Sequence, residues 1–159
     1  MPAPSGAYTV VRSNVATTTA ITVIQVTTVA STVIDVVRAW GNQSSSTTST
    51  STALGLIRKT AAASVTSRTP DPLGSGMQAS KCVGGASATG ITASAEGTDA
   101  TNYLWHEGFN IVGNGVLYLP YPEERIGVGG TTTASIGLKF SVAPTGNWNN
   151  GVEWLEYCY

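Results

Sequence analysis

Ser135-Ile136-Gly137-Leu138-Lys139-Phe140-Ser141-Val142 decides the fold class. Ile136, Leu138, Phe140 and Val142 fall on one side, and Ser135, Gly137, Lys139 and Ser141 on the other. A period of two places alternate side chains on opposite faces of a strand, with the apolar set toward a core. Such alternation suits an antiparallel sheet that is buried on one face. Working outward, Pro144–Gly151 reads as a polar loop carrying Trp148, and Val152–Tyr157 as a closing strand. Upstream, Arg125–Val128 is a short strand closed by Gly129-Gly130, and Val116–Leu119 one ended by Pro120. Gly113-Asn114-Gly115 lies between apolar runs, which predicts a hairpin.

The first half carries the same chemistry. Ala20–Val29 and Ser31–Trp40 are rich in Ile, Val and Thr. Val33, Val36, Val37 and Trp40 also fit helical spacing, but β-branched and aromatic residues favour the pleated form. Strict alternation in that strand predicts Asp35 and Arg38 on opposite faces. Tyr8–Arg12, Ala53–Lys59 and a weak segment around Ile91 complete the set, with turn chemistry over Arg68–Gly74. Eight to ten strands at this spacing predict an all-β, antiparallel β-sandwich, with a jelly roll as first choice and an immunoglobulin-like sandwich as second. Residues 1–14, which start with Pro2 and Pro4, read as an extended N-terminal arm. Residues 15–159 read as one sandwich domain with a Ser/Thr-rich loop at 41–52.

Composition narrows the function. The 159 residues include 8 Lys or Arg, 9 Asp or Glu and one His, against 23 Thr, 16 Ser and 18 Gly. A net charge of −1 with no basic block argues against direct nucleic-acid binding. It also does little to prevent self-association. The start lacks the basic and apolar regions of a signal peptide, and no apolar run reaches the length of a membrane helix. Cys82 and Cys158 read either as a pair or as two unrelated thiols, the latter preferred.

The chain offers few reactive constellations. His106 is the only possible imidazole base, and Gly85-Ala86-Ser87-Ala88-Thr89 lacks the second glycine of a nucleophile elbow. Glu153 and Glu156 sit at an odd spacing, which points them apart. Glu123 and Glu124 are adjacent and followed by a neutralising Arg125. No metal-ligand spacing and no phosphate loop occurs, so no cofactor and no metal are expected. Trp148, read as loop-borne, is the best candidate to face a sugar or a partner subunit.

Pro120-Tyr121-Pro122-Glu123-Glu124-Arg125-Ile126-Gly127-Val128, followed by Ile136–Phe140, Val142-Ala143-Pro144 and Gly151–Tyr157, resembles small structural proteins of tailed bacteriophages, the capsid decoration or cement proteins. The resemblance covers about half of the chain and rests on turn and strand signatures. It implies a non-enzymatic jelly-roll protein, made in the host cytoplasm and located on the virion surface. Its partners would be the major capsid protein and itself, as a homotrimer. Interface candidates on this reading are Pro4, Tyr8, Arg12, Glu123, Glu124, Arg125 and Trp148. Another virion component or a carbohydrate-binding module are the alternatives.

Overall fold

The last strand shows the period of two most fully: from Trp148 to Glu156 every even-numbered residue is buried. The structure is a computed structural model, and it describes residues 4–45, 50–110, 115–129 and 134–158. The strands are β1 (Gly6–Ala16), β2 (Thr22–Thr27), β3 (Thr32–Ser45), β4 (Ser51–Ala61), β5 (Ser64–Ser67), β6 (Asp71–Pro72), β7 (Gly90–Ala95), β8 (Thr98–Asn110), β9 (Val116–Tyr118), β10 (Ile126–Gly129), β11 (Ser135–Val142) and β12 (Asn147–Cys158). A single 3-10 turn, Pro122–Glu124, is the only helical element among the described residues.

Two antiparallel sheets pack as a sandwich. The first has the order β10-β3-β12-β1-β6, with β9 also on β3; the second runs β5-β7-β2-β11-β4-β8. Eight strands form four antiparallel pairs: β1 with β12, β2 with β11, β3 with β10 and β4 with β8. The pairs are nested, first with last and inward, and they alternate between the sheets. That is the pairing of a jelly roll. The short strands β5, β6, β7 and β9 extend the two sheets.

The core lies between the sheets. Tyr8, Val10, Ile34, Val36, Val152 and Trp154 of the first sheet meet Ile24, Val26, Leu54, Leu56, Ile136, Leu138 and Phe140 of the second. Trp148 is fully buried, edge-on to Phe140 and Phe109 at ring-centroid distances of 4.9 and 5.7 Å. Its Nε1 donates to the Thr145 carbonyl at 2.9 Å, which removes the cost of burying the indole N–H.

Several expectations change. Residues 6–14 are not an arm: β1 pairs with β12 from Gly6 onward, and Tyr8 and Arg12 point inward at 1% exposure. The Ser/Thr tract is strand at both described ends, residues 41–45 of β3 and 51–52 of β4, because Thr and Ser suit a paired edge; residues 46–49 lie outside the described residues. Asn147–Gly151 is the start of β12, not a loop, since pairing to both β1 and β3 outweighs the low strand propensity of Asn. The Gly113-Asn114 turn lies outside the described residues. The strands on either side of it, β8 and β9, belong to different sheets and form no hairpin. Gly115 keeps a positive φ of 86°. A bulge in β3 also changes the faces: Glu153 opposes Arg38 and Trp154 opposes Val36, leaving Val37 as the extra residue. Asp35 and Arg38 consequently share the outer face.

Trp148→Ala removes the ring that joins β12 to both phenylalanines. It should cost about 3–5 kcal/mol in equilibrium denaturant unfolding; a loss under about 1 kcal/mol would mean the ring is not core.

Candidate binding surface

The charged groups that point inward are engaged within the fold. Arg12, buried at the end of the sandwich, donates from Nε to Thr92 Oγ1 at 2.8 Å, and through its two terminal nitrogens to Asn150 Oδ1 at 3.0 Å and Thr17 Oγ1 at 2.7 Å. Burial lowers its pKa to about 10. Glu156 is 1% exposed and accepts from Ser80 Oγ at 2.6 Å and from the Lys81 amide at 2.8 Å. Tyr8 Oη donates to the Gln78 carbonyl at 2.8 Å. These bonds hold the segment between β6 and β7 against the ends of β1 and β12. Cys82 and Cys158 are free thiols on either side of this carboxylate. Burial, then the negative charge of Glu156, pushes the Cys82 thiol far up, whereas Cys158 is exposed.

A second cluster lies on the outer face of the second sheet. Lys59 Nζ, with a side chain wholly out of solvent, meets Asp99 Oδ1 at 2.6 Å and Glu96 Oε2 at 3.1 Å. Lys139 Nζ meets Asp99 Oδ2 at 2.5 Å and Glu96 Oε2 at 3.4 Å. Glu96 also accepts from the Thr22 amide and hydroxyl. Two cations and two carboxylates cancel, so the link between β7 and β8 is clamped over the sheet. Further along, Gln25 binds the carbonyls of Ala63 and Ala88 and the amide of Ala63. Every residue of β2 is therefore buried on both faces.

Few groups are left for chemistry. His106 Nε2 and Ser141 Oγ lie 2.7 Å apart on the exposed surface, and the imidazole stacks on Tyr103 at 4.6 Å. No group among the described residues orients the other ring nitrogen, as a nucleophilic dyad requires. A cavity of about 290 Å³ opens between β10 and the β4–β11 pair, where Arg58 donates to the Gly127 carbonyl at 2.9 Å. Among the described residues no three His, Cys, Asp or Glu side chains are grouped to hold a metal ion.

The outer face of the first sheet is different. Ala7, Thr9 and Val11 of β1, Glu153, Leu155 and Tyr157 of β12, and Val33, Asp35, Val37 and Trp40 of β3 point outward and are partly exposed. With the exposed Arg38, seven of these eleven outward side chains are apolar, on a face that an antiparallel sheet usually gives to polar residues. Trp40 lies over Gly151, where a Cβ would come within 1.9 Å of its ring. Arg38 stacks on Trp40 at 4.7 Å and pairs with Glu153 at 3.6 Å. Next to Trp40, Leu117, Leu119 and Tyr121 stand 51, 68 and 72% exposed along the sheet edge. Exposed apolar side chains grouped in this way mark an interaction surface.

The structure separates the residues that the sequence grouped. Tyr8, Arg12 and Trp148 are core, so they are not interface groups. Pro4 is exposed beside β1. Glu123 and Glu124 are exposed on the 3-10 turn next to Tyr121, not on a strand, and Arg125 is partly buried. Glu153 and Glu156 do diverge, one outward and one inward. The Lys59–Glu96–Asp99–Lys139 cluster and the apolar outer face were missed. The signal for the latter was present in Val33-Ile34 and Val36-Val37 on either side of Asp35, which put apolar residues on both faces. The chain matches no family model, no curated protein and no solved structure.

Burial alone would raise Glu96 and Asp99. For Glu96 the bonds from Thr22 and then Lys59 outweigh it, and for Asp99 those from Lys139 and Lys59, so both carboxyls sit below their ordinary values of 4.5 and 3.8. Their contribution is complete above those values and is lost as pH falls through the folded ones. Thermal unfolding from about pH 6 down to about pH 3 should show falling stability, with a shallower fall in Glu96→Gln; identical slopes would contradict the clamp. In native protein a thiol-reactive disulfide reagent should label Cys158 quickly and Cys82 only after unfolding; equal rates would contradict the burial of Cys82.

Proposed function

We propose that this protein is a virion structural component that decorates and stabilises the outside of an assembled phage head. The observation that carries the reading is the exposed apolar edge at Leu117, Leu119 and Tyr121, on a jelly roll whose inward-pointing charges are bound within the fold. A cement protein works by broad contact and mass action: it binds the assembled lattice and not the free subunits, and so shifts the equilibrium toward the shell. The resemblance over residues 120–157 supports this reading, as does the fold, since viral shell proteins use jelly rolls. Lectins use them too, so fold alone does not choose. The sugar-binding alternative rested on an outward Trp148, and that ring is internal.

On this reading Leu119, Tyr121, Glu123 and Glu124 touch the shell, and the N-terminal strand contributes to the fold and not to an arm. Purified chain mixed with undecorated tailed-phage head shells should saturate at a copy number that is a multiple of the shell symmetry, and should raise the shell's melting temperature. Leu119→Glu with Tyr121→Ala should lose that binding while remaining folded. Absence of binding to such shells, together with turnover of a substrate by the purified chain, would overturn the proposal.

A further inference from the structure

The outer face of the first sheet carries one more pattern. Asp35 and Arg38 sit on the same side of β3, with Val37 between them on the bulge. Arg38 has a side chain 46% exposed and pairs only loosely with Glu153, at 3.6 Å. Asp35 has no ion pair or side-chain hydrogen bond among the described residues. Apart from Glu153 and Thr9, the surface around this charge pair is apolar: Val33, Val37, Trp40, Leu155, Val11 and Ala7. The other sheet has no comparable open face, because its own segments cover it.

We infer that this face is the contact between two copies of the chain, packed sheet to sheet about a two-fold axis that passes close to Val37. The occupant follows from the charges. A two-fold axis lying between the sheets and across the strands turns β3 antiparallel to β3 of the second copy. Asp35 of each copy is then set against Arg38 of the other, so one axis makes both ion pairs. A partner surface of a single sign would leave either Asp35 or Arg38 opposed to its own charge. Two copies of a chain of net charge −1 also repel each other weakly. The packing is of the kind already present inside the molecule, two twisted antiparallel faces about 10 Å apart with apolar side chains interlocking. A self-complementary patch gives a closed pair and not a filament. The inference does not depend on the shell-binding reading, which uses the neighbouring edge at Leu119 and Tyr121.

Sedimentation equilibrium of the full chain over a wide concentration range tests it. The wild type should show a reversible dimer of twice 16.3 kDa. Asp35→Arg and Arg38→Asp should each weaken dimerisation at least tenfold. An equimolar mixture of the two variants should restore it as a heterodimer, since each variant then meets the opposite charge. Val37→Lys should give a monomer with an unchanged circular dichroism spectrum. A wild type that stays monomeric, a trimer, or a dimer indifferent to all three substitutions would overturn the inference, whether or not the chain binds shells.

Discussion

The pairing of β12 between β1 and β3 is the constraint on which the rest of the structure depends. It joins the end of the chain to its beginning through nine residues of β1 and along most of β3. Without it the first sheet is split in two, and the inward side chains Trp148, Val152 and Trp154 are lost from the core. Loop closure over such a separation costs entropy before any contact is gained, which slows folding. The same strand carries Glu156, which ties down the segment before β7, and Asn150, which receives Arg12.

Once the core is closed, the two outer faces of the sandwich meet different fates. On the second sheet the chain returns over its own strands, and a neutral quartet of two lysines and two carboxylates holds it there. A charge quartet of this kind is neutral as a unit, so burying it costs less than burying any member alone. On the first sheet none of the described segments returns over the outer face. The face stays largely apolar, with a loosely paired Arg38 and Glu153 and with Asp35, which has no ion pair among the described residues. Internal ties on one face and an open surface on the other fit a molecule that works by contact.

Much of the fold was legible in the residues. Ile136–Val142 and the β-branched runs before Trp40 name the strands, because packing on a pleated surface is a local property of side-chain shape. Val142, at 50% exposure, shows where that logic stops: the apolar series runs past the end of the core. What could not be read depends on pairing across the chain. Asn147–Gly151 is poor strand sequence held straight by neighbours on both sides. The bulge at Val37 moves Arg38 to the face of Asp35, and only the register with Glu153 and Trp154 shows it. Prolines near the start suggested an arm, while Tyr8 and Arg12 are fixed in the interior by partners 70 and 80 residues away. The charge quartet joins β4, β11, the link after β7 and the start of β8, which no sequence spacing connects.

Residue-resolved amide hydrogen exchange tests the central claim most directly. If β12 is the closing centre of the first sheet, its amides from Gly151 to Leu155 exchange only through global unfolding, together with those of β3 and β11, while β5, β6 and β9 exchange faster through local opening. Exchange in β12 as fast as in β9 would contradict this account, because the last strand would then be an attachment to a fold that stands without it.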